Sequence, residues 1–227
     1  MLIRTTLQAS VAGALLIGSL AAHAVFIGNT QGGADFPQGA VSFADQVISY
    51  APGFVGVNPT LPHRGDFNAL DVPDYAGVNA CASQAACTFV SLGDGGSITL
   101  RFVDNLLTGS GTPDSDLWVF EVGPDIEDTF VEISQDGAVF SPVGKVFGTT
   151  AGIDIDAFGF GTGDQFAYVR LTDDTAEGGQ GGATVGADID AVGAISTIRV
   201  SVPEPATLAL LGFVLAGLTL ARRRALH

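Results

Sequence analysis

Carboxylates are the one chemical resource this sequence holds in quantity. Asp114 and Asp116 flank a serine just before the apolar run Leu117–Val122, and Glu121 sits inside that run. Asp188 and Asp190 alternate with apolar residues ahead of the last extended segment. Hard divalent cations such as calcium take several carboxylate and carbonyl oxygens at once. Two acid-bearing segments meeting at one end of a β structure would supply them. Asp114, Asp116, Glu121, Asp188 and Asp190 are therefore the candidate calcium ligands, with Asp104-Asn105 and Asp173-Asp174 in second rank. The competing reading is that these side chains cap turns and solvate loops. Two contiguous calcium-loop patterns are incomplete. Asp154-Ile155-Asp156 begins like an EF-hand loop, but its twelfth position is Gln165 rather than Glu. The glycine-rich stretch Gly178–Gly182 occurs once, whereas calcium-binding glycine repeats work only when stacked, so it reads as a loop.

The two ends of the chain determine the compartment in which this chemistry would operate. Arg4, the apolar stretch Val11–Ala22 and the triplet Ala22-His23-Ala24 have the order of a secretory signal peptide, which places the mature start at Val25. At the other end, Val202-Pro203-Glu204-Pro205 precedes sixteen uncharged residues, Ala206–Ala221, and then Arg222, Arg223 and Arg224. As a helix the apolar stretch would rise about 24 Å at ~1.5 Å per residue, just enough for a thinned bilayer of ~30 Å. The arginines would stop transfer and stay cytoplasmic. The two prolines keep the preceding segment extended. This tail resembles the PEP-CTERM sorting signal of Gram-negative bacteria. The resemblance implies an inner-membrane intermediate, delivered by the Sec translocon and then cut by an exosortase.

The mature region, about Val25 to Val202, has the length of one domain. It keeps five of the nine basic residues (Arg64, Arg101, Lys145, Arg170 and Arg199) and 23 of the 24 acidic ones, a net charge of −18. Such a surface repels nucleic acid and anionic lipid and favours divalent cations. Cys81 and Cys87 are expected to pair in an oxidising compartment, closing a short loop for roughly 2 kcal/mol. Catalysis is poorly supplied. His63 is the sole mature histidine and is expected in a surface loop, without a G-x-S-x-G segment to partner it. The chain is therefore not expected to be an enzyme. A carboxylate-pair hydrolase of extracellular polysaccharide stays open as an alternative.

The elements that position these residues read as strands. Val25–Ala80 is rich in Gly, Pro and Asn, with a strand over Phe43–Tyr50 and a long ordered loop over Pro52–Pro73. From Thr88 the pattern is all-β. Ser97–Val103 alternates, with Ile98, Leu100 and Phe102 on one face. Leu117–Val122 is apolar on both faces, as a central strand is. Phe130–Ser134 and Val139-Phe140 flank an Asp136-Gly137 turn. Phe166–Leu171, Ile189–Val192 and Ala194–Val200 complete the set. The expected fold is a jelly-roll-like antiparallel β-sandwich, with residues 25–92 as its strand-and-loop approach, 93–201 as its body and 202–227 as the sorting tail. The segment Val131–Gly144 (VEISQDGAVFSPVG) and the strand Tyr168–Leu171 (YVRL) resemble the galactose-binding-like, discoidin-type jelly rolls. That resemblance implies a carbohydrate-binding module. Trp118 lies mid-strand and reads as core, leaving Tyr50 and Tyr75 as ring contacts for a sugar. Composition and motifs together point to an exported cell-surface or exopolysaccharide-matrix protein that binds or scaffolds.

Overall fold

The structure is a computed structural model that describes residues 24–200 apart from 79–80, 123–126, 148–149 and 178–181. Both the leader and the tail read from the sequence fall outside the described residues, Ala24 excepted. Among the described residues no helix is long and apolar enough to cross a membrane.

Thirteen strands follow in chain order. They are β1 (Val25–Asn29), β2 (Gly32–Phe36), β3 (Gln46–Ala51), β4 (Val90–Ser91), β5 (Ser97–Arg101), β6 (Asn105–Leu107) and β7 (Leu117–Glu121). Then come β8 (Thr129–Ser134), β9 (Ser141–Val146), β10 (Thr150–Ile153), β11 (Tyr168–Asp173), β12 (Asp188–Ala194) and β13 (Thr197–Arg199). All pairings are antiparallel. A five-stranded sheet runs β3-β5-β11-β8-β9 and a four-stranded sheet β10-β7-β12-β4, while β1-β2 and β6-β13 form small ribbons. Both large sheets contribute to one buried cluster that includes Ile98, Leu100, Val119, Val131, Ile133, Val169, Leu171, Ile189 and Val192. The described residues thus form an all-β sandwich, with their helical turns limited to short 3-10 segments.

Period-two patterning accounts for most of this. Along β5, Ile98 and Leu100 are fully buried between the sheets. β7 lies between β10 and β12, which is why both its faces are apolar. Its inner face carries Leu117, Val119 and Glu121, and its outer face Trp118 and Phe120. That outer face is covered by the N-terminal segment. Phe36 and Phe43 stack with Phe120 at ring separations of 6.1 and 5.9 Å, and Ile27, Ala34, Trp118 and Ile195 pack around them. Each fully buried ring is worth about 1.5–3 kcal/mol. Gly193 makes this possible, since a Cβ there would stand 2.6 Å from Phe36 and 2.9 Å from Phe43.

Several expectations shift. The strand expected over Ala194–Val200 is divided: Ala194 ends β12, and Thr197–Arg199 leaves the sheet to pair with β6. After the Asp136-Gly137 turn, Val139-Phe140 is still turn and β9 starts at Ser141, because Asp136 Oδ1 accepts the amides of Ala138 and Val139 and holds the loop open. His63 is buried rather than on the surface: it pairs with the Thr60 hydroxyl at 2.8 Å and stacks on Phe89. Cys81 and Cys87 form the expected disulfide, with Cα atoms 4.9 Å apart, beside Phe89, Tyr75 and Val122.

Candidate metal centre

The inner face of β7 ends on a carboxylate. Leu117 and Val119 enter the core, and two residues further Glu121 follows them to the sandwich's end, only 1% exposed. Neither of its carboxyl oxygens has a hydrogen bond of good geometry. Burial first, then the neighbouring charges of Glu127 and Asp188, push its carboxyl up to about 10, and Asp173 adds to this. The Glu127 amide offsets only part of the cost.

Asp188 starts β12 beside it. Pairing brings Ile189 opposite Glu121, and the Val122 amide donates to the Asp188 carbonyl at 2.8 Å. Its side chain accepts the Ser91 hydroxyl at 2.5 Å. Burial holds this carboxyl well above the ordinary range, with Glu127 and Asp173 reinforcing the shift and the Ser91 and Thr184 hydroxyls opposing it. Asp173, the last residue of β11, accepts the amides of Ala187 (2.8 Å) and Gly95 (2.9 Å), which ties two loops to the sheet end. Its carboxyl is also raised, by burial, against those two amides, and then by Asp94 and Asp174.

Among the described residues, one lysine forms ion pairs at this end. Lys145 Nζ bridges Asp128, at 2.8 Å, and Asp174. Those contacts raise the lysine and lower Asp174. Oxygens of Asp128, Asp174 and Glu177 lie within 4.8 Å of one another, a spacing two ligands of one ion can have. Among the described residues, six carboxylates, Glu121, Glu127, Asp128, Asp173, Asp174 and Asp188, thus gather at the end where Lys145 sits. The donor set is all oxygen, which fits a hard cation and not zinc.

The five candidate ligands do not form one site. Glu121 and Asp188 come together, but Asp116 precedes Leu117, whose partner is Ala194, at the far end of the same strand pair. Five residues of strand separate them by about 17 Å. Asp114 lies on an exposed turn and accepts the Thr112 hydroxyl. Asp190 sits at a bulge in β12, where it accepts the Asn29 amide group at 2.6 Å and the backbone amides of Asp74 and Tyr75. It staples the N-terminal ribbon to the sheet. Burial, opposed by these bonds, raises it to about 6. Of the second-rank residues, Asn105 is buried in β6 and donates to the Thr197 hydroxyl, while Asp173 and Asp174 belong to the acid end. Tyr75 is buried and offers no open ring face to a sugar, while Tyr50 is half-buried, packs against the core and donates to the Ser91 carbonyl. Glu127 and Lys145 were not read from the sequence as site residues; the adjacent acid pairs at 127–128 and 173–174 were the available signal.

Comparison with known proteins adds the destination. The family model of the PEP-CTERM protein-sorting motif matches residues 201–224. The chain therefore carries the signal of an exported, exosortase-processed protein. No curated protein matches it. A solved structure described as CpGH89CBM32-6 produced by Clostridium perfringens is 11% identical over 49% of this chain and 73% of that chain, with a TM-score of 0.28. A likeness of that extent carries no argument about fold or ligand.

Proposed function

We propose that this is a cell-surface or exopolysaccharide-matrix protein that acts by binding or scaffolding, and that a calcium ion at the acid end stabilises its sandwich. The buried Glu121 carboxylate, without a hydrogen bond of good geometry, carries the metal part of this reading. An ionised carboxylate in that position needs a cation or a proton, and extracellular calcium is an abundant hard cation. The sorting motif supports the destination and processing by an exosortase; the Sec translocon would be a further transient partner and an extracellular polysaccharide the polymer partner. Binding rather than catalysis is favoured by the state of the reactive groups. His63 is occupied by Thr60 and Phe89, and both cysteines are joined.

Two measurements test this. Calcium at millimolar concentration should raise the thermal midpoint and chelator should lower it, by mass action on the folded state. No shift would refute the metal. Replacing Pro203-Glu204-Pro205 with alanines should leave a membrane-retained protein of higher mass. Unchanged release from cells would refute the sorting.

A further inference from the structure

We propose that the opposite end of the sandwich holds a second hard-cation site, formed by Asp116, Asp154 and Asp156. Asp116 is fixed before β7 by its backbone. Its amide donates to the Ile153 carbonyl at 2.8 Å, and its carbonyl accepts the Ile195 amide at 2.7 Å. The residue is fully buried. Oδ2 accepts the Ile155 amide at 3.0 Å, but Oδ1 has no hydrogen-bond partner. Asp154 and Asp156 follow β10 on the adjoining turn and are half-buried. One carboxyl oxygen from each of the three lies within 4.8 Å of the others. Ligands at 2.3–2.6 Å from one calcium ion can stand no further apart than about 5 Å, so the trio satisfies that limit.

The turn is built to hold these carboxylates in place. Asp156 Oδ2 accepts the amides of Ser110 and Gly111, both at 2.9 Å, and leaves Oδ1 available. Asp154 Oδ1 accepts the Ala157 amide and leaves Oδ2 available. None of the three takes part in an ion pair among the described residues. Burial raises the Asp116 carboxyl, the Ser196 and Ser110 hydroxyls and the Ile155 amide offset part of that, and Asp156 adds to it. A divalent ion would relieve both the burial and the repulsion. An all-oxygen set open to solvent on the Asp154 side suits a calcium-sized ion completed by water.

The site is independent of the acid end, so the two can be told apart. Trp118 is the chain's one tryptophan. It is two residues from Asp116, and a Cβ on Gly152 would stand 3.0 Å from its ring. Terbium, a luminescent stand-in for calcium, should therefore light up at this site when the exported protein is excited through the tryptophan band. Emission should saturate and be displaced by calcium. Asp154→Asn should weaken terbium by about tenfold or more, and Asp156→Asn should do the same, while Glu121→Gln should leave the signal intact. Wild-type protein without tryptophan-excited emission would overturn the site. So would emission that neither aspartate variant changes, or emission lost in Glu121→Gln but kept in Asp154→Asn. Emission kept while the acid end shows no calcium response would refute only the earlier reading.

Discussion

Replacing Glu121 with glutamine separates the proton from the metal at the acid end. Without metal, the folded protein keeps Glu121 protonated up to about 10, whereas the unfolded chain ionises near 4.5. The folded value is the higher one. Its contribution is therefore complete below the unfolded pKa and is lost as pH rises toward the folded one. Each unit in that interval costs about 1.4 kcal/mol. Between pH 4.5 and pH 7 the metal-free protein should lose about 3 kcal/mol from this group, or roughly 6–12 °C in thermal midpoint for a domain of this size. Glu121→Gln removes the ionisation, so in chelator its midpoint should exceed wild type at pH 7 and vary less with pH. Calcium should reverse the order, because it stabilises the carboxylate and has no charge to meet on the amide. The assay is thermal denaturation by circular dichroism from pH 5 to 8, in chelator and in millimolar calcium. A variant no more stable than wild type in chelator at pH 7, or one with an unchanged calcium response, would refute the reasoning.

Further predictions are smaller in scope. Cys81→Ser with Cys87→Ser should lower stability by about 2 kcal/mol, since the bridge closes a short loop; equal denaturation curves with and without reductant would contradict this. Gly193→Ala should cost about 1–3 kcal/mol by pushing Phe36 and Phe43 off the sheet, read as a lower denaturation midpoint and faster proteolysis of the N-terminal ribbon. Lys145→Gln should lower the midpoint in chelator and leave a larger calcium response, because Asp128 and Asp174 lose their internal counter-ion; calorimetry with and without calcium measures both.

The body of the sandwich was legible because its strands alternate, or run apolar where both faces are covered. β5 and β7 show this at Ile98 and Leu100 and at Leu117–Phe120. The N-terminal ribbon was not legible. Gly28 and Gly33 read as loop, yet they let β1 and β2 approach so closely that a Cβ on Gly28 would lie 2.4 Å from the Gly32 carbonyl. Glu121 and Asp188 stood out because a charge inside an apolar run requires a reason. Asp116 was assigned to their site because sequence order does not reveal which end of a strand pair a residue occupies; only the register does. Asp154 and Asp156 were set aside for want of a glutamate at the twelfth position. Gly159 does fill the sixth, with φ at +90°, but the third carboxylate comes from a distant strand rather than from the loop.

The strand order governs when the protein can fold. β12 lies between β7 and β4, yet it comes from residues 188–194, near the end of the mature chain. A chain emerging from its N-terminus leaves β4 without a sheet partner, and β7 with only β10, until those residues arrive. Closure also waits on the last ribbon, where Gln38 donates to the Thr197 carbonyl and accepts from Arg199. Contacts this far apart in sequence form slowly. The growing polypeptide can therefore complete its five-stranded sheet once Asp173 has emerged, but the four-stranded sheet that closes the sandwich only after Ala194.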